Sequence, residues 1–93
     1  EVDAVSGTVL LVDDEELVRV STADMLADLG YRVVEATSAE EAMRLFQRGE
    51  NTFDLLVTDH LMPGMNGTDL AREVLAARPE IPVLIVSGYA ESE

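Results

Sequence analysis

Cysteine, lysine and tryptophan are absent from this 93-residue sequence. Without cysteine, the chain can form neither disulfides nor thiolate metal sites. It also lacks any apolar run near the roughly 20 residues that span a membrane, and its N-terminus lacks the basic-then-apolar pattern of a signal peptide. These absences predict a cytoplasmic protein whose domain makes no membrane contact.

Positive charge is also scarce. The sequence has 19 acidic and 6 basic residues, all of the latter arginine, for a net charge of −13. Nucleic-acid binding depends on cations that displace phosphate counterions, so this balance argues against a direct nucleic-acid partner. Dispersed acidic groups favour solubility, whereas acidic groups clustered at one edge of a sheet could hold a divalent cation.

The length allows one small domain. Residues 1–7 are small and polar without a period, so we expect a linker or tail there and a domain over 8–93. Within that domain, four apolar runs typical of buried strands alternate with three segments of helical periodicity. The strand runs cover residues 8–12, 31–36, 55–59 and 82–86, and the second is the most polar. The order predicts an α/β fold with a doubly wound parallel sheet and helices on both faces.

The three helical segments have recognisable ends. The first begins at Glu16 and stops near Gly30. The second follows Ser38, which forms the S-x-x-E pattern of a capping box with Glu41. The third starts at Asn66 or Gly67. The residues expected to face inward are Val18, Thr22, Met25, Leu26 and Leu29 in the first helix, Ala39, Ala42, Met43 and Phe46 in the second, and Leu70, Ala71, Val74 and Leu75 in the third.

The fourth strand run is followed by only a few residues. We therefore expect a domain truncated after its fourth strand, which would have an open edge and an uncovered face. Such an edge can pair with a second copy of the chain. The sequence thus predicts a homodimer through the fourth-strand edge.

Acidic and hydroxyl side chains stand where strands end. Asp13 and Asp14 close the first strand, Asp59 the third, and Ser87 the fourth. The carboxyl ends of parallel strands meet at one edge, so these groups can converge. Hard oxygen ligands suit Mg²⁺, and a carboxylate beside this cation can attack a phosphoryl group to give an aspartyl-phosphate. As simpler alternatives, Asp13 and Asp14 could cap the first helix, and Asp59 could form a turn.

Three motifs in this order resemble the receiver domain of bacterial two-component signalling, with the match running from about residue 8 to residue 90. They are V-D-D at residues 12–14, T-D-H-L-M-P-G-M-N-G at 58–67 and V-L-I-V-S-G-Y at 83–89. The resemblance implies a flavodoxin-like fold with strand order 2-1-3-4. It also implies phosphoryl transfer from a histidine kinase or phosphotransfer domain. The loop sequence D-H-L-M-P-G-M is similar to that of receivers in hybrid histidine kinases.

The resemblance assigns a role to each site residue. Asp59 would be the phosphoacceptor, and Ser87 would be the switch residue that contacts the phosphoryl group. Asp13, Asp14, Asp59 and the backbone carbonyl of Leu61 would hold Mg²⁺. Such a domain accepts a phosphoryl group and is not an enzyme in isolation, although its parent chain could be a hybrid kinase.

One departure from the family pattern leaves other functions open. Receivers carry a fifth strand with a lysine and two further helices, and this sequence has neither lysine nor those elements. A receiver-like interaction module that is never phosphorylated would fit this departure. A flavin-binding protein is less favoured because no glycine-rich loop follows the first strand. An aspartate-nucleophile phosphatase is less favoured because Leu61 stands where a second aspartate belongs.

Overall fold

The computed structural model describes residues 7–49, 52–60 and 62–86. These residues form four strands and three helices in strict alternation. The strands are β1 (Thr8–Val12), β2 (Arg32–Ala36), β3 (Leu55–Asp59) and β4 (Val83–Val86). The helices are α1 (Glu16–Asp28), α2 (Ala39–Arg48) and α3 (Gly67–Ala77). The predicted tail lies outside the described residues apart from Gly7.

All strand pairs are parallel, and the sheet order is β2-β1-β3-β4. This confirms the predicted fold and the edge position of β2. In the register, Val12 lies opposite Thr58 and Asp59 lies opposite Val86. The carboxyl ends of β1, β3 and β4 therefore reach the same edge, and the loops that follow them start side by side.

The sheet has two differently covered faces. On one face, α2 and α3 enclose a core that includes Leu10, Leu56 and Phe53, each at most 1% exposed. On the other face, Val9, Leu11 and Val57 pack with Ala23 of α1. Alternation of side chains along a strand explains the division, since neighbouring β1 residues point to opposite faces.

The burial predicted for the fourth strand is wrong. Leu84, Ile85 and Val86 are 52%, 40% and 38% exposed. Leu84 and Val86 lie on the face where, of the described elements, only α1 packs, and β3 is the single described neighbour of β4. The expected open edge and uncovered face of this strand are therefore present in the described part of the chain.

Part of the predicted helix packing is also wrong. Met25 and Leu29 of α1 are 62% and 59% exposed, and in α3 Leu75 is 37% exposed. The predicted inward residues Leu70, Ala71 and Val74 are buried. Met25 and Leu29 line an apolar cavity of about 380 Å³ between α1 and the part of this sheet face that α1 does not cover. Helical periodicity identified the apolar stripe of α1 but not how much of it the domain covers.

The helix ends follow the predicted capping residues. Ser38 caps α2, its Oγ accepting a 3.0 Å hydrogen bond from the backbone N–H of Glu41. Asn66 caps α3 in the same way, through a 2.9 Å bond from Asp69. None of these helices in the described ranges has the length and hydropathy needed to cross a membrane.

Candidate functional site

Asp13 follows β1 directly and is held by its neighbours. Its backbone N–H donates to the carbonyl of Ala36 at 3.1 Å, which extends the ladder between β1 and β2. Its Oδ1 accepts a 2.9 Å hydrogen bond from the backbone N–H of Glu15. Glu15, not either aspartate, occupies the N-cap of α1, and its side chain makes no capping bond. The alternative that Asp13 and Asp14 cap α1 is therefore wrong.

The carbonyl of Asp13 has a partner that sequence reasoning missed. The guanidinium of Arg19 donates to it at 3.1 Å and bonds Oε1 of Glu35 at 2.9 Å. Arg19 lies one turn into α1, and Glu35 lies on β2. The side chain of Arg19 is only 13% exposed. A basic residue following V-D-D at this spacing was the available signal, but the sequence alone could not show its two acceptors.

Asp59 ends β3 and is 6% exposed. Its Oδ1 accepts a 2.9 Å hydrogen bond from the backbone N–H of His60, which also lies 3.0 Å from the carbonyl of Val86. Among the described residues, none donates a hydrogen bond to Oδ2. One carboxylate oxygen of Asp59 is thus anchored, and the other can reach a ligand.

The start of α3 presses against Asp59. The backbone N–H of Gly67 donates to the carbonyl of His60 at 2.9 Å. A Cβ at position 67 would overlap the carbonyl oxygen of Asp59 and lie 3.0 Å from its carbonyl carbon. Oγ1 of Thr68 and Nδ1 of His60 share a 3.2 Å hydrogen bond. The sequence indicated that Gly67 starts a helix, but not that it permits this close approach.

The three predicted aspartates come together. One carboxylate oxygen from each of Asp13, Asp14 and Asp59 lies within 4.8 Å of the others, with Asp13 and Asp59 buried and Asp14 exposed. Burial raises the pKa of Asp13, and the charges of Asp59 and Asp14 add to that rise, while the hydrogen bond from Glu15 opposes it. Closely spaced carboxylates with buried and open sides fit Mg²⁺, which takes one or two carboxylates and keeps several waters.

The other two predicted site residues cannot be placed. Ser87 and Leu61 lie outside the described residues, so their roles stay predictions. Val86, the last described residue of β4, does pair with Asp59 in the sheet register.

Comparisons with known proteins agree with this geometry. A family model described as the response regulator receiver domain matches residues 9–93. The sensor kinase CckA of Brucella abortus is 43% identical over 86 residues, which make up 92% of this chain and 9% of that kinase. The chain thus spans a small part of this curated relative.

Solved structures of receivers have the same fold. The receiver domain of the hybrid histidine kinase CckA is 38% identical with a TM-score of 0.81, over 89% of this chain and 77% of that one. TrrA of Thermotoga maritima, solved with Mg²⁺-BeF, is 30% identical with a TM-score of 0.83, over 90% of this chain and 71% of that one. TrrA has also been solved in complex with the histidine kinase ThkA. The chain belongs to the response regulator receiver family of two-component signalling.

Proposed function

We propose that the chain accepts a phosphoryl group on Asp59 from a phosphohistidine, with Mg²⁺ bound beside it. One observation carries this proposal: the carboxylates of Asp13, Asp14 and Asp59 lie within 4.8 Å of one another at the carboxyl edge of a parallel sheet. The Mg²⁺-BeF complex of the similar receiver TrrA supports it.

In the proposed site, Asp13, Asp14 and Asp59 hold the metal, with the backbone carbonyl of Leu61 as a further ligand. When bound, Mg²⁺ offsets the negative charge of these carboxylates and of the transferred phosphoryl oxygens. The protein contributes fixed ligand positions. Asp13 is held through its N–H, carbonyl and Oδ1, so its carboxylate needs little reorganisation when the metal binds.

Asp59 is proposed to accept the phosphoryl group through Oδ2. The hydrogen bond from His60 fixes Oδ1, which leaves Oδ2 as the attacking atom. Oδ2 forms a new bond to phosphorus, while the P–N bond of phosphohistidine breaks. The electron pair of that bond returns to the imidazole nitrogen, which takes up a proton from water. The products are a neutral histidine and an aspartyl-phosphate on Asp59. Ser87 is proposed to bind one phosphoryl oxygen.

The proposed partner is a histidine kinase or a phosphotransfer domain. The complex of TrrA with the histidine kinase ThkA supports this class of partner. The match to CckA supports a parent chain that is itself a hybrid kinase. The domain would act as an acceptor and switch, since it takes up one phosphoryl group and holds it covalently.

The test is an intact mass measurement before and after exposure to acetyl phosphate and Mg²⁺. We expect the wild type to gain one phosphoryl group and Asp59→Asn to gain none. Asp24→Asn is the matched control, because Asp24 lies exposed on α1 and should be phosphorylated like the wild type. Chelation of Mg²⁺ should abolish the gain.

Two results would contradict the proposal. An equal gain in Asp59→Asn would place the phosphoryl group elsewhere. No gain in the wild type, together with kinase binding that Asp59→Asn leaves unchanged, would favour a receiver-like interaction module without phosphorylation. The absence of lysine from the sequence is the observation that favours this second function.

A further inference from the structure

Arg19 is a largely buried cation beside the acidic cluster, yet its guanidinium forms no hydrogen bond or ion pair with the three clustered carboxylates. Its side chain is 13% exposed, and its donors go to the backbone carbonyl of Asp13 at 3.1 Å and to Glu35 at 2.9 Å. A guanidinium has several N–H donors in a rigid fork and can bridge two acceptors at fixed geometry. The contacts of Arg19 are therefore suited to holding backbone.

The bridge joins three parts of the fold. Arg19 extends from α1, Glu35 belongs to β2, and the Asp13 carbonyl opens the loop between β1 and α1. The N–H of Asp13 is already fixed by Ala36 of β2. With its carbonyl held too, both peptide groups that flank the Cα of Asp13 are fixed. The direction of its carboxylate then follows from the backbone.

We infer that Arg19, oriented by Glu35, is a positioning residue for the metal site. The inference rests on the proposed function, because it concerns how the proposed Mg²⁺ ligands are held. Removing a group that orients a metal ligand, without itself touching the metal, commonly lowers metal affinity by about 10- to 100-fold. Arg19 acts on the Asp13 carboxylate through the main chain.

Charge alone predicts the opposite effect. A guanidinium near a cation site repels Mg²⁺, so removing its charge should tighten binding. Removing an anchor that orients a ligand should weaken binding. The sign of the change in Mg²⁺ affinity therefore separates positioning from simple electrostatics.

The experiment is calorimetric titration of the metal-free protein with MgCl₂. We expect Arg19→Met to weaken Mg²⁺ binding roughly tenfold. Arg19→Lys should restore part of the affinity, since an ammonium can reach one acceptor but not bridge both. Arg32→Met is the matched control, because Arg32 is exposed at the start of β2, at the opposite end of the sheet. It makes the same change in net charge and should leave affinity unchanged or slightly tighter.

Folding is followed in parallel by urea denaturation, and affinities are compared only where each variant is folded. If Arg19→Met does not fold, Glu35→Gln tests the same bridge and should weaken Mg²⁺ binding more than Glu73→Gln does, a control with the same change in net charge at an exposed position of α3. Affinity in Arg19→Met equal to or tighter than in Arg32→Met, or in Glu35→Gln equal to or tighter than in Glu73→Gln, would overturn the inference while leaving the proposed function standing. A wild type that binds no Mg²⁺ would overturn both.

Discussion

At the scale of single residues, the acidic cluster brings three possible metal ligands together at a cost to the stability of the metal-free protein. Asp13 is 5% exposed, and like charges stand on Asp14 and Asp59 next to it. Its raised pKa expresses the cost of keeping this carboxylate ionised in such surroundings. The folded protein maintains this unfavourable arrangement, which a bound divalent cation would relieve.

Asp13→Asn should therefore stabilise the metal-free protein. Asparagine keeps the oxygen that accepts from Glu15 and removes the repelled charge. We expect the free energy of unfolding in EDTA to rise by about 1 kcal/mol, the scale of one close like-charge pair near water. Urea denaturation at pH 7 measures it, with Asp24→Asn as a control that should change it little.

Saturating Mg²⁺ should reverse that order. A ligand at 100 times its dissociation constant stabilises the folded state by about 2.7 kcal/mol. The wild type should gain this amount in MgCl₂ beyond NaCl of equal ionic strength, and Asp13→Asn should gain much less. An equal gain in both proteins would remove Asp13 from the metal site.

Gly67→Ala should be severely destabilising. The added methyl group would overlap the carbonyl of Asp59, which is backbone and cannot swing aside. We expect a loss on the order of 3 kcal/mol, at the upper end for overpacking, measured by urea denaturation. Gly49→Ala is the comparison, since Gly49 has φ +74 but open space around a Cβ. It should lose about 1 kcal/mol from backbone strain alone; equal losses would contradict the steric explanation.

The sequence predicted the meeting of Asp13, Asp14 and Asp59, because parallel strands bring their carboxyl ends to one edge. It did not predict the Arg19 bridge or the contact of Gly67 with Asp59. Both depend on how far a helix lies from a strand end in space. Residue types and spacing alone do not contain that distance.

At the scale of elements, the start of α2 departs from the predicted capping box. Ser38 accepts the hydrogen bond from the backbone N–H of Glu41 that a capping box requires. The side chain of Glu41, however, accepts from Thr37, at 2.7 Å from its backbone N–H and at 2.9 Å from its Oγ1. These two hydrogen bonds lower the pKa of Glu41, since they favour the ionised carboxylate. The motif located the start of α2 correctly, but the donor to the Glu41 side chain is Thr37, where a capping box has the N-cap residue.

The lowered pKa gives α2 a pH-dependent contribution to stability. Because the folded pKa lies below the ordinary value of 4.5, the contribution is complete above that value. It is lost as pH falls through the folded pKa. We expect Glu41→Gln to lower the free energy of unfolding at pH 7 and to flatten its fall below pH 4.5. Urea denaturation from pH 7 to about pH 3 measures this, with exposed Glu73→Gln as control; parallel curves for wild type and Glu41→Gln would contradict it.

Element type and order were predictable here, whereas burial was predicted less well. The apolar run of β4 has the composition of a central strand, yet Leu84 is 52% exposed. Composition shows that a strand is suited to burial. It does not show which neighbours cover it.

At the scale of the whole molecule, a strongly acidic chain exposes an apolar strip. The net charge is −13, and Leu84, Ile85 and Val86 are exposed on the edge strand β4. Repulsion between two such chains opposes association, and pairing of their apolar edges favours it. Salt screens the repulsion and leaves the apolar term nearly intact.

The homodimer through β4 therefore stays a prediction with a definite salt dependence. We expect the mass measured by light scattering to rise with protein concentration, and more steeply at about 0.15 M than at about 0.01 M NaCl. Leu84→Lys should keep the chain monomeric, as lysine protects an edge strand. Exposed Leu17→Lys on α1 makes the same change away from β4 and should not. A wild type that is monomeric at every concentration and salt level would contradict the prediction.

The hydrogen bond from Gly67 to His60 has a practical consequence for protein engineering. It joins the two ends of the connection from β3 to α3 at 2.9 Å. Lengthening a loop whose ends are already held costs little free energy. A short peptide tag inserted between Pro63 and Gly64 should therefore leave the end of β3, and Asp59 with it, in place.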